Sequence, residues 1–205
     1  MTGAPRRSRV SAALIVVGAL GVSGAALGAV WARTAPPIHT ITALTRSGAR
    51  VDAFLGREAD NLFVAAAILT GLLSWLAVVS AVLVWQWRSH RGPALVSALW
   101  FGQVAAAAAA AGVGAALVHH RYGTPDHDGA MLTPQNRVQY FTEAPPVFFG
   151  HGPLIVAATL LLPAAIAALV YALMAVATPR DDLGGWPPPP GTGSKAGQEL
   201  DILGY

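Results

Sequence analysis

The chain is 205 residues long, 54% hydrophobic and only 11% charged, with a mean hydropathy of +0.52. Soluble globular chains carry about 25% charged residues, so an ordinary water-facing domain is excluded. The absence of cysteine removes disulfide staples, thiolate catalysis, iron–sulfur ligation and thiol redox sensing. A net charge of +3 spread over scattered arginines fits a bilayer with anionic headgroups and no nucleic-acid partner.

In chain order, four segments lack Asp, Glu, Lys, Arg and His altogether: 10–31, 62–85, 94–118 and 154–177. Each is long enough to cross about 30 Å of hydrocarbon at about 1.5 Å per residue, which predicts four transmembrane helices. The first follows Arg6, Arg7 and Arg9, the flank of a helix whose N-terminus stays in the cytoplasm. A cleaved signal peptide is the alternative for this run, although such cores span only about 7–15 residues. Arg88 and Arg91 crowd the short link between the second and third spans. Both termini are therefore expected in the cytoplasm, with the longer connections 32–61 and 119–153 outside. Trp31, Trp85 and Trp87 fall at span ends, where amphipathic rings suit the headgroup boundary. Pro93 and Pro153 open the third and fourth spans, and Pro163 predicts a kink in the fourth.

Small residues line two of these spans. Gly24-x-x-x-Gly28 in the first and the alanine run 105–111 in the third leave room for close backbone approach. Ser23, Thr70, Ser74, Ser80, Ser97 and Thr159 are expected to hydrogen-bond between helices. Gln103 is the only amide in the spans and no ionisable group lies within them, which argues against a proton relay or ion-coupled pump.

The outer connections are patterned. Residues 38–55 hold two β-favouring stretches around Ser47-Gly48, and residues 130–142 repeat the strand–turn–strand order around Pro134-Gln135-Asn136. Each reads as a β-hairpin. An isolated hairpin is marginal in water, so the two are expected to pair as one small sheet. The predicted fold is membrane all-α with a small β part, a four-helix transmembrane bundle with two extracytoplasmic β-hairpins. Arg50-Val51-x-x-Phe54 and Arg137-Val138-x-x-Phe141 precede the second and fourth spans, and Ala35-Pro36-Pro37 and Ala144-Pro145-Pro146 mark each loop. These matches are consistent with a tandem helix–hairpin–helix duplication, its repeats parallel. From 178 to 205 the chain turns rich in proline and glycine and is expected to be a disordered cytoplasmic tail. Leu200, Ile202, Leu203 and Tyr205 are its candidate docking contacts.

Chemistry is sparse. His119, His120, His127, Asp128 and Glu143 come nearest to a metal-ligand cluster, but their spacing matches no established motif and solvated loop residues are the competing reading. No cofactor is expected. The chain has no GxSxG elbow, HExxH helix or P-loop. Glu58, Asp60, Asn61 and Glu143 are expected to solvate loop ends and pair with Arg57 or Arg137. No catalytic residue is assigned. The favoured reading is a non-enzymatic accessory or scaffold subunit in the lipid bilayer, holding a protein partner of the membrane or envelope through Val51, Phe54, Val138, Phe141 and Glu143. A small oligomeric transporter or channel is the alternative, and needs a water-filled cavity lined by hydroxyls. An extracytoplasmic metal-dependent enzyme or sensor is the second, and needs three or more of the His and Asp side chains to converge.

Several segments together carry a family resemblance. They are Ala35-Pro36-Pro37, Ala-Leu-Thr-Arg-Ser-Gly (43–48), Leu-Gly-Arg-Glu-Ala-Asp (55–60), Val-Trp-Gln-Trp-Arg-Ser-His-Arg-Gly-Pro (84–93) and Arg-Val-Gln-Tyr-Phe-Thr-Glu-Ala-Pro-Pro-Val-Phe-Phe-Gly-His (137–151). Over about residues 10–183 the chain resembles a family of actinobacterial, largely mycobacterial, four-span membrane proteins of unknown function. The resemblance implies a plasma-membrane location and transfers no catalytic or binding residue.

Overall fold

The computed structural model describes residues 9–88, 91–127, 129, 131–133 and 135–178. Arg6, Arg7, Ser89, Asp128 and the tail from 179 onward, with Leu200, Ile202, Leu203 and Tyr205, lie outside the described residues. The elements in order are α1 (Arg9–Thr34), β1 (Ile38–Leu44), β2 (Arg50–Phe54), α2 (Ala59–Trp85), α3 (Pro93–Tyr122), β3 (Val138–Glu143) and α4 (Pro153–Val176). All four helices are long and apolar enough to cross a membrane. The chain has the build of a multi-pass membrane protein. Helix α3 outruns its charge-free span to take in His119, His120 and Arg121, because cationic side chains are favoured against the partial negative charge of a helix C-terminus. Helix α4 runs through Pro163 as one element.

Helices α1 and α3 are the most intimately packed pair, and α4 lies against both α3 and α2. Lipid tails are as apolar as leucine, so close van der Waals contact has to hold such helices together. Gly24 sits against the backbone of Ala106 and Gly28 against that of Ala110; a Cβ at either position would fall inside van der Waals contact. A Cβ at Gly102 would lie 2.6 Å from Leu20 Cδ1, and one at Gly114 would lie 2.8 Å from the Trp31 ring. The contact thus repeats about every fourth residue, with α1 and α3 running in the same direction.

Trp31 departs from the expected headgroup position. Its side chain is fully buried and its indole N–H donates to the Ala65 carbonyl at 2.7 Å. One residue of α1 therefore touches both α3 and α2. A buried indole nitrogen needs an acceptor, and α2 supplies it. Trp85 behaves more nearly as expected: it is half-buried, packs edge-on against Tyr171 with centroids 5.0 Å apart, and carries the Arg91 guanidinium 4.2 Å above its ring.

Four of the hydroxyls differ from expectation, while Ser80 takes part in a bond between helices. Thr70 donates to Ala66 O, Ser74 to Thr70 O, Ser97 to Ala94 O and Thr159 to Ile155 O, all within their own helices. A short hydroxyl reaches the carbonyl one turn back more readily than a neighbouring helix. The crossing bond comes from the longer Gln103, whose Nε2 donates to Ser80 Oγ at 2.6 Å from a fully buried position.

At the end of the bundle where α1 and α3 finish and α2 and α4 begin, the strands form one antiparallel sheet in the order β2-β1-β3. The turn from β1 to β2 centres on Ser47-Gly48 as expected. Thr45 and Ala49 close it by a 2.8 Å N–H···O bond, and Gly48 takes φ 86°, a conformation open to glycine. The second connection contributes one described strand rather than a strand–turn–strand pair, so three strands stand where two hairpins predict four. Thr133 N–H donates to Asn136 O and Asn136 N–H to Thr133 Oγ1, both at 3.0 Å.

Candidate functional site

Strand β1 is the middle of the sheet, and Ile38, Thr40 and Thr42 on one of its faces are buried. Two of these three are polar, so each must find a partner. Thr42 Oγ1 donates to Asp52 Oδ1 at 2.6 Å and lies 3.2 Å from His127 Nδ1. Thr40 Oγ1 donates to Glu143 Oε1 at 2.6 Å, and the same oxygen lies 3.0 Å from His127 Nε2. His127 also stacks on Phe141, with centroids 4.6 Å apart. Strands β1, β2 and β3 and the loop after α3 are thereby joined through one imidazole. Each threonine has a single hydroxyl proton and gives it to a carboxylate.

A second tie fixes the sheet to the bundle. Glu58, immediately before α2, takes the backbone N–H of His39 and lies 2.7 Å from His39 Nδ1. Asn61 Nδ2 donates to Pro37 O at 3.1 Å. Of the expected acidic pairings, Arg57–Asp60 forms at 3.2 Å with both side chains exposed, while Glu58 and Glu143 serve histidines.

The two Arg-Val-x-x-Phe segments occupy equivalent positions on either side of β1. Val51 and Val138 both register with Ala43, and Phe54 and Phe141 both register with Thr40. Of the proposed contact residues, Val51 and Phe54 are 47% and 44% exposed and Val138 is 37% exposed. Phe141 and Glu143 are half-buried and engaged by His127. Tyr140, which sequence reasoning did not single out, is 68% exposed and registers with Ile41. Its signal was present: it alternates with Val138 and Thr142 on one face of a strand bearing no charge before Glu143.

The metal candidates are scattered. His119 and His120 are exposed on the last turn of α3, whereas His127 lies in the sheet network and Asp128 falls outside the described residues. Among the described residues no three His, Asp or Glu side chains come together as a metal-holding group. Asp52, Thr40 and Thr42, which no motif singled out, join His127 and Glu143 in the cluster that does form. Two cavities of about 280 and 380 Å³ lie between helix pairs. The first runs between α1 and α2 past Ser23 and Ser80, the second between α2 and α4 past Thr70 and Thr159, and both are otherwise apolar.

Known proteins resemble this chain over most of its length. An uncharacterised protein of Mycobacterium tuberculosis (strain ATCC 25618 / H37Rv) is 53% identical over 169 residues, covering 82% of this chain and 88% of its own. An uncharacterised protein of Mycobacterium leprae (strain TN) is 51% identical over 181 residues, covering 88% and 90%. No solved structure matches. A family model described as a protein of unknown function, DUF2567, matches residues 20–185, and the chain belongs to that family.

Proposed function

We propose that the protein is a non-enzymatic accessory or scaffold subunit of a membrane or envelope complex, with both termini cytoplasmic and the sheet on the outer side. The carrying observation is how the sheet divides its side chains. Its titratable groups Asp52, His127 and Glu143 are taken up in bonds that knit the sheet together, while apolar Val51 and Val138 on the opposite face, and Phe54 at the end of the edge strand, are exposed. Exposed apolar groups on an ordered sheet are the chemistry of a docking surface. Arg9, Arg88 and Arg91 at the opposite end, with Arg6 and Arg7 just before Arg9 in the sequence, support the orientation. The tail after 178 is the second contact.

The test pairs complementation of a deletion strain with partner pull-down. Val51→Ser with Phe54→Ser should abolish both complementation and partner recovery while leaving membrane insertion intact. His119→Ala with His120→Ala should change neither. Loss of complementation in the histidine variant with partner binding retained would overturn the scaffold reading in favour of metal chemistry. Single cysteines at Ser47 and Gln135 should react with an impermeant maleimide on intact cells, and one at Ser89 should not; the reverse pattern sinks the orientation.

A further inference from the structure

The two outer edges of the sheet are not alike. Leu44 N–H donates to Arg137 O at 2.8 Å, which makes 44 and 137 a hydrogen-bonded pair. Such pairs alternate along an antiparallel ladder. Gln139, Phe141 and Glu143 therefore spend their backbone groups on β1, and the N–H and C=O of Val138, Tyr140 and Thr142 point to the free edge. On the other side, Leu55 N–H donates to His39 O at 2.9 Å, so the residues of β2 facing its free edge are Arg50, Asp52 and Phe54. Charged residues on an edge strand discourage further pairing. Edge β2 carries two of them; edge β3 has none between Val138 and Thr142 and lies next to no other strand among the described residues.

We propose that the free edge of β3 pairs with β3 of a second copy, joining two three-stranded sheets into one of six strands. The register follows from the residues. An antiparallel self-pairing centred on Tyr140 sets Tyr140 opposite Tyr140 and Val138 opposite Thr142 of the second copy, and in each pair the outward N–H and C=O groups exchange two bonds. The same register sets Gln139 opposite Phe141 and Arg137 opposite Glu143 at both ends of the seam. Opposite charges across a ladder are favourable and like charges are not, so the segment 137–143 is complementary to itself when antiparallel. A parallel arrangement would oppose Arg137 to Arg137 and Glu143 to Glu143. Two tyrosines side by side also cover the most exposed aromatic group of the sheet.

The inference goes beyond the scaffold reading and does not rest on it, because purified protein with no partner present tests it. The full chain has no cysteine, so Tyr140→Cys introduces a sole thiol. Opposed Cα atoms in a hydrogen-bonded antiparallel pair lie about 5.5 Å apart, within the span of about 4.4–6.8 Å that a disulfide bridges. Oxidation of Tyr140→Cys in nanodiscs loaded with more than one copy should give a covalent dimer, and Val51→Cys on β2 should give at least tenfold less. Tyr140→Pro removes the central outward N–H but none of the bonds to β1, a substitution that edge strands tolerate. It should keep the melting temperature of the monomer and weaken self-association at least tenfold by mass photometry, while Tyr140→Thr, which keeps the N–H, should not. Cross-linking of Tyr140→Cys no greater than that of Val51→Cys would overturn the proposal, as would monomeric wild-type protein. Equal self-association of Tyr140→Pro and wild type would do the same. Should Tyr140→Pro fail to fold, the cysteine pair decides alone.

Discussion

The bundle and the sheet are closed by opposite means. Along α1 and α3 the decisive positions are those with no side chain, Gly24, Gly28, Gly102 and Gly114, and contact is backbone against backbone or against an apolar side chain. In the sheet the decisive positions carry polar groups, Thr40, Thr42, Asp52, His127 and Glu143, and contact is hydrogen bond against hydrogen bond. The solvent explains the contrast. Among lipid tails apolar side chains gain little by meeting one another, so helices gain by approaching more closely. At the end of the bundle, a half-buried polar group left without a partner carries a desolvation cost. The bundle should therefore resist additions and the sheet should resist deletions.

The sharpest break is Gly24→Leu combined with Gly28→Leu. Overpacking costs about 1–3 kcal/mol per site, and here the obstructing atoms are backbone that cannot turn aside. The double variant should fail to yield a cooperatively melting protein in detergent. Gly18 and Gly21, on the same helix, face open space. Alanine there should be neutral or raise the Tm, because glycine costs up to about 1 kcal/mol in a helix, and a loss equal to that of the Gly24 variant would refute the packing account. Trp31→Ala comes next, at about 3–5 kcal/mol by analogy with buried aromatic deletions. Trp31→Phe should cost about 1–3 kcal/mol for the bond to Ala65.

Removing His127 should act on the sheet alone. His127→Ala leaves Glu143 and Thr42 each short of one partner, with about 1.5–3 kcal/mol lost for the bond to the Glu143 carboxylate. Hydrogen exchange should rise along β3 while the helices keep their protection, and a uniform rise would show that sheet and bundle melt as one unit. His119→Ala and His120→Ala sit at the small end, within about 0.5 kcal/mol on the Tm scale, since both are exposed.

The helices were legible because charge-free length is a signal that nothing overrides in lipid. Gly24 and Gly28 were legible as a pattern, yet their counterparts Ala106 and Ala110 were hidden in an alanine run without internal landmarks. Only the structure sets the register between the two helices. Trp31 misled because an aromatic ring at a span end reads the same whether it faces headgroups or a neighbouring helix. The first turn announced itself through Ser47-Gly48, and its hairpin forms. His127 read as a solvated residue because its partners Thr40, Thr42 and Glu143 are remote in sequence. Proximity of that kind leaves no local trace.

The middle place of β1 also sets an order of events. Strand β1 emerges soon after α1 and meets β2 at once, but its other neighbour is not made until α2 and α3 have both been laid down. Thr40 then waits for Glu143, and Thr42 for His127, across two crossings of the membrane. Should only one of α2 and α3 insert, β3 would arrive on the wrong side and β1 would keep an open edge. Completion of the sheet thus requires that the crossings between β1 and β3 come in a pair, and a chain that makes only one of them keeps a strand edge exposed.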